Sequence, residues 1–303
     1  MKPLLVILLS FAIMITNVSA ADCKSDGIAL QVLGSGGPEI QAGRASTSYL
    51  IWKGGKAKVL IDTGSGSLLR FGESGANFSD IEVVLFSHLH VDHSVDFPAF
   101  IKSSFFQDRH RDLPVYGPAG SKVFPSTTVF IKTMFDTHHG EYKYLSDFID
   151  LHTKNSYHII PHNISPKSLI TIYKDSEMKV IAAKATHGEI PALAYRIEID
   201  DKSIAFSGDN NGNNKELVTL AKGADIFVAH NAVPEDAQGI ARNLHMPPSL
   251  IGEIAENAKV RNLVLSHRMT RTLGKEEETK AKIKKTYKGK ISFADDLSCY
   301  ELQ

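Results

Sequence analysis

Four candidate metal ligands stand within the stretch His88-Leu89-His90-Val91-Asp92-His93. Only Ser87 separates them from the largely apolar run Ile81-Glu82-Val83-Val84-Leu85-Phe86. A strand that feeds such a cluster holds metal at the end of a sheet. In extended backbone, residues two apart point the same way, so His88 and His90 address one ion. Asp92 and His93 come where the chain should turn and can face a second position beside the first. Imidazole and carboxylate suit zinc, and also iron or manganese. The chemistry that follows is metal-assisted hydrolysis.

Two ions need more ligands, and later apolar runs supply them. His187 follows Lys179 to Thr186, Asp209 follows Ser203-Ile204-Ala205-Phe206-Ser207-Gly208, and His267 follows Leu263-Val264-Leu265-Ser266. Each stands where side chains can converge at one sheet edge. An aspartate between two ions can bridge them through its two oxygens, keeping them within roughly 4 Å.

The elements that must position these groups are short. Strand-like runs cover Ile28–Leu33, Ser48–Trp52, Lys58–Asp62, Ile81–Phe86, Met178–Ala185, Ala192–Ile199, Lys202–Phe206, Asp225–Ala229 and Val260–Leu265. Helix-like segments cover Ser249–Ala258, led by Pro247-Pro248, and Glu276–Lys285. Early strands follow one another as in hairpins, whereas later ones alternate with helices, which predicts a layered α/β domain. The segment from about 101 to 176 reads either as an inserted, lid-forming region over the site or as part of the core. Its histidines, among them His110, His138, His139, His152, His158 and His162, read as surface or lid residues. The lysines of 275–290, interleaved with Glu276, Glu277 and Glu278, read as a solvated helix face.

The 34 basic and 34 acidic residues cancel, so no global field draws nucleic acid or an anionic membrane. Residues 1–20 read as a secretory leader. Lys2 precedes the short apolar stretch Leu4–Ile15, and Val18-Ser19-Ala20 offers a cleavage site near Ala20. The remainder, 21–303, reads as a single exported domain, periplasmic or secreted. Its two cysteines, Cys23 and Cys299, either form one disulfide between the ends or stand as free thiols.

With these residues in this order, the chain resembles the metallo-β-lactamase fold superfamily. The resemblance runs through Ile61-Asp62-Thr63-Gly64, His88–His93, His187, Ser207-Gly208-Asp209-Asn210 and Leu265-Ser266-His267-Arg268. It implies a four-layer αββα sandwich. It also implies that His88, His90 and His187 hold one metal, that Asp92, His93 and His267 hold the other, and that Asp209 bridges. Asp62 would orient the ligand loop by hydrogen bonds. Pro114–Gly120 and His187–Arg196 are similar to segments of ribonuclease Z, and Gly34–Pro38 and Arg44–Ser48 to arylsulfatase-type relatives. Ribonuclease Z carries a glutamate where Asn231 stands here. That glutamate supports a histidine matching His245, which would donate a proton to the leaving oxygen with weaker help from an amide.

The resemblance therefore implies an exported two-metal hydrolase that cuts a small ester, a phosphodiester or an aryl sulfate, through a metal-bridging hydroxide. Asp92 and His245 would move protons, and two Zn2+, or Mn or Fe, would be bound. Lactone, thioester and β-lactam hydrolysis stand as alternatives, as does a non-catalytic metal-binding protein. The chain has no room between His187 and Asp209 for the long arm that ribonuclease Z sets on transfer RNA, so a nucleic-acid partner is not expected. No membrane partner is expected, and a homodimer stays open.

Overall fold

The computed structural model describes Cys23, residues 26–41 and residues 43–302. The expected leader, 1–20, lies outside the described residues, as does its cleavage point. Two seven-stranded sheets stack face to face. The first runs β14 (Cys299–Leu302), β1 (Ile28–Gly34), β2 (Ser48–Lys53), β3 (Lys56–Ile61), β4 (Val83–Leu85), β5 (Leu113–Pro118) and β6 (Ile159–Ile164). The second runs β13 (Lys290–Phe293), β12 (Asn262–Ser266), β11 (Ile226–His230), β10 (Lys202–Phe206), β9 (Ile190–Ile199), β8 (Met178–His187) and β7 (Ile170–Lys174). Helices α1 (Ser67–Glu73), α2 (Val91–Ser94), α3 (Phe97–Ser104) and α4 (Thr127–Phe135) belong to the first half. Helices α5 (Glu216–Leu220), α6 (Gly239–Leu244), α7 (Pro248–Asn257) and α8 (Glu276–Ile283) belong to the second.

Alternation along the strands builds four layers, because successive side chains point to opposite faces. On β1, Ile28, Leu30 and Val32 enter the core between the sheets, while Ala29 and Leu33 enter the outer core with Phe71 of α1 and Phe97 and Phe100 of α3. On β12, Val264 faces the other sheet, while Leu263 and Leu265 pack on Leu217 of α5, Ile251 and Ile254 of α7 and Ile283 of α8. The expected αββα sandwich in a single domain is the fold observed.

The segment 101–176 supplies β5, β6 and β7 together with α4, and Leu113, Val115, Ile131, Phe135, Phe148 and Ile159 lie in the outer core. It is sandwich, not a cover. Its edge strand β6 contains Pro161, which an edge tolerates because one side of the strand needs no ladder donor. The strand read over Ile81–Phe86 is only Val83–Leu85, because Phe78–Asp80 before it coil into a 3-10 turn capped by Asn77. The helix read to Lys285 ends at Ile283.

Cys23 and Cys299 are joined in a disulfide, with Cα atoms 5.7 Å apart. Cys299 sits opposite Gln31 in the antiparallel pairing of β14 with β1. Among the described residues, no helix is long and apolar enough to cross a membrane.

Candidate metal centre

Most of the candidate site residues stand at, or just past, the carboxyl end of a strand. β3 leads to Asp62, β4 to His88 through Ser87, β10 to Asp209 and β12 to His267, while His187 and His230 close β8 and β11. Parallel and mixed sheets present ligands at this edge because strands end there and loops turn over it. His90 precedes α2, which carries Asp92 and His93 inward. Asp62 and His267 adopt left-handed backbone, φ 56° and 53°, conformations uncommon outside glycine, asparagine, aspartate and histidine. Gly208 turns the chain at φ 56° directly before Asp209; a Cβ there would lie 2.7 Å from the carbonyl oxygen of Leu193.

The side chains meet in overlapping groups: His88, His90 and His187; Asp92, His93 and His267; and Asp209 with His88 and His93 between them. Asp92 Oδ2 lies 3.4 Å from His93 Nε2 and 3.3 Å from His267 Nε2. Asp209 Oδ2 lies 3.5 Å from His187 Nε2, 3.8 Å from His93 Nε2 and 3.9 Å from His88 Nε2, and Oδ1 lies 3.3 Å from His267 Nε2. Two donors about 2.1 Å from one tetrahedral ion sit roughly 3.4 Å apart, so this spacing suits a bound metal ion.

The hydrogen bonds point the same way. Buried Nε2 atoms of His88, His93, His187 and His267 have no partner among the described residues. Buried nitrogens are seldom left so, and several of them converging on one point is what a metal site presents. The opposite ring nitrogens are occupied in three cases. His93 Nδ1 donates to Asp62 Oδ2 at 2.7 Å, and His187 Nδ1 donates to the carbonyl of Leu244 at 2.9 Å. His88 Nδ1 lies 3.2 Å from Ser87 Oγ. Such bonds fix the tautomer that leaves Nε2 a lone pair. Asp62 in turn accepts from Ser87 N and Ser87 Oγ, each at 2.7 Å.

Charge is arranged to match. Burial pushes Asp92 up, but the neighbouring charges of His93 and His267 outweigh it and hold the carboxyl below its usual range. Asp209 is likewise held well below, against burial, by His267 and His245. Burial pushes His88 well down, and the charge of His93 adds to this. Burial would also lower His93 and His267. Asp92 and Asp62 overcome it at His93, and Asp209 and Asp92 at His267, so both are held up.

His245 is buried rather than a surface residue, with its ring 5.2 Å from that of His187 and 5.6 Å from that of His267. Its Nδ1 lies 3.9 Å from Asp209 Oδ2, and burial lowers its pKa to about 3. Neither polar atom of the Asn231 side chain has a partner among the described residues, so the amide does not support His245 by a hydrogen bond.

Sequence reasoning missed two residues. His230 Nδ1 lies 2.7 Å from Asp209 Oδ1, and its Nε2 lies 3.0 Å from the hydroxyl of Tyr49. His230 ends an apolar run just as the recognised ligands do, and that signal was there to be used. Tyr49 reads as a core aromatic and carries no such signal.

The family model of the beta-lactamase superfamily domain matches residues 57–268. The chain belongs to the metallo-β-lactamase superfamily. Within this superfamily its relatives include ribonuclease Z of Mycobacterium bovis, 27% identical over 286 residues that span 90% of this chain and 98% of the relative. In structure it is similar to human tRNase Z, short form, with TM-score 0.70 and 19% identity over 91% of this chain and 99% of that one. It is also similar to a diphosphatase from the PhnP family, with TM-score 0.64 and 20% identity over 91% of this chain and 98% of that one. The chain thus falls on the ribonuclease Z side of the superfamily, and it is a metallo-β-lactamase-fold hydrolase. Relatives named ribonuclease Z run against the expectation that a nucleic-acid partner is unlikely.

For this superfamily member, the remaining histidines stay apart from the donors. His110 bonds Asp108, and His162 stacks on Tyr116 at 4.5 Å. Neither these two nor His138, His139, His152 or His158 join the donor groups. A cavity of about 740 Å³ opens at the β6–β7 edge, lined by Lys167, Lys184, Thr186 and Gly188 among others. It flanks His187 on the chain but contains no donor atom of the centre.

Proposed function

We propose that the chain is an exported two-metal hydrolase of small phosphodiesters. The observation that carries this reading is the pair of histidine groups, unpaired at Nε2, that share Asp209. His88, His90 and His187 would hold one ion, Asp92, His93 and His267 the other, with Asp209 between. When bound, two divalent ions supply an activated water and neutralise charge on the ester oxygens.

The chain's own residues do the rest. Asp62 holds His93 in the liganding tautomer through Ser87 and the ring itself. Asp92, ionised and beside His93, is placed to take a proton from an attacking water at Oδ2. His245 is neutral in the free chain, and an anionic ester raises its proton affinity. It would then take up a proton from solvent and donate it to the leaving oxygen, while Asp92 keeps the proton from the attacking water.

Relatives named for ribonuclease and diphosphatase activity support a phosphate ester over an aryl sulfate. The small substrate is supported by the hairpin of β8 and β9, where His187 pairs with Ile190 across a turn with no arm. Export is supported by the Cys23–Cys299 disulfide, a bond kept in oxidising compartments. The ribonuclease Z relatives favour a second reading, a single-stranded or structured RNA as substrate.

The test is a hydrolysis panel on the purified chain with metal analysis of the same sample. It includes an aryl phosphodiester, a cyclic nucleotide, a transfer RNA precursor, an aryl sulfate, a lactone and a β-lactam. Two ions per chain with turnover of the small phosphodiesters is expected, and both are lost in His88→Ala and Asp209→Ala. Cleavage of the RNA alone supports the second reading. Full activity after metal removal refutes both.

A further inference from the structure

We infer that Tyr49 and His230 are positioning residues that set the orientation of the Asp209 carboxylate between the two donor groups. The inference rests on the two-metal reading above and adds residues outside the ligand set. His230 Nδ1 and Asp209 Oδ1 are 2.7 Å apart. An ionised carboxylate only accepts, so Nδ1 carries the hydrogen. With the ring neutral, Nε2 is then an acceptor, and the Tyr49 hydroxyl 3.0 Å away donates to it. One directed chain thus runs from Tyr49 O–H through His230 to Asp209.

The chain is anchored at both ends. Tyr49 lies on β2 of the first sheet, packed 5.3 Å from the ring of Phe206 on β10 of the second. The backbone N–H of His230 donates to Ser207 Oγ at 3.1 Å, two residues before Asp209. All three side chains are buried. Asp209 has free rotation only about its own side-chain bonds, and the His230 bond fixes it. Oδ1 then faces His267, and Oδ2 faces His187, His93 and His88. Without that bond, the carboxylate could turn away from either group. A hydrogen bond to a liganding carboxylate is worth about 10- to 100-fold in metal affinity.

The experiment compares His230→Asn with His230→Gln in the full chain, using zinc alone as the probe. Asparagine keeps a donor at the Nδ1 position, whereas glutamine places it at the Nε2 position. Zinc stoichiometry is read by atomic emission and affinity by chelator competition, with chelator-treated unfolding curves confirming that each variant folds. The loss in His230→Asn is expected to match that of Tyr49→Phe and to be smaller than the fall of about 10- to 100-fold expected in His230→Gln. Tyr49→Phe should weaken zinc binding in the wild-type chain but have no further effect in His230→Asn, which lacks the Nε2 acceptor. Equal affinities for the asparagine and glutamine variants overturn the inference, as does a Tyr49→Phe effect that survives in His230→Asn. Failure of the wild-type chain to bind two ions overturns the two-metal reading instead.

Discussion

Replacing Asp62 with asparagine changes almost no volume and reverses one hydrogen bond. In the native centre, Asp62 Oδ1 accepts from Ser87 N, and Oδ2 accepts from Ser87 Oγ and His93 Nδ1, all at 2.7 Å. In Asp62→Asn, the amide oxygen keeps the Ser87 N–H, and the Ser87 hydroxyl can turn to accept. The amide N–H2 then meets the Nδ1–H of His93, and two donors cannot bond. His93 must move its hydrogen to Nε2, the atom 3.4 Å from Asp92 Oδ2 that faces the second donor group. The lone pair aimed at the metal is lost. The expected fall in zinc affinity is about 10- to 100-fold, which converts to roughly 1.4–2.7 kcal/mol. The metal-free protein loses one charge-assisted bond, about 1.5–3 kcal/mol. Chelator competition reads the first quantity, and urea unfolding in excess chelator reads the second. Unchanged zinc affinity in a variant whose stability falls as stated would refute the tautomer argument, since the bond would then matter to folding alone.

Four further outcomes are expected. His245→Ala should lower kcat by about 10²- to 10⁴-fold on an alkyl phosphodiester and far less on a nitrophenyl ester, whose leaving group needs no proton; equal losses on both would remove His245 from proton transfer. The charges of Asp92 and Asp62 at His93, and of Asp209 and Asp92 at His267, overcome burial and favour the protonated rings, so zinc binding should release protons. Calorimetry in buffers of different ionisation enthalpy counts them, and zero release contradicts the assignment. For the metal-free protein the same shifts fix a sign. The stabilisation from His93 and His267 is complete below their unfolded pKa, about 6.5, and fades as pH rises through the folded values. That from Asp92 and Asp209 is complete above about 4 and is lost as pH falls through theirs. Replacing Cys23 and Cys299 by serine should destabilise the fold by about 5 kcal/mol, given a cross-link across nearly the whole chain; an unchanged urea midpoint would show that the bond constrains nothing.

The candidate ligand positions were legible because most follow an apolar run, and strand ends collect at one edge of a sandwich. His88 to His93, His187, Asp209 and His267 carry that mark in the sequence itself. His230 carries it too, but one histidine at a strand end also reads as core, and only its 2.7 Å approach to Asp209 separates the two. Tyr49 was beyond reach, because its role depends on a contact between sheets 181 residues apart in sequence. The stretch from 101 to 176 was illegible for a different reason. Pro114, Pro118 and Pro161 lie within β5 and β6, where proline speaks against a strand, and the exposed Phe105 and Phe106 break the pattern of burial. The Asn231–His245 pairing drawn from the resemblance has no counterpart in the hydrogen bonds.

Each donor group draws from both sheets. His88 and His90 come from the first and His187 from the second; Asp92 and His93 come from the first and His267 from the second. An ion held by either group is therefore a rivet through the interface of the two halves, as well as a reagent. Its binding energy is available only when the halves are in register, so metal binding adds to the stability of a sandwich whose shared core already closes it.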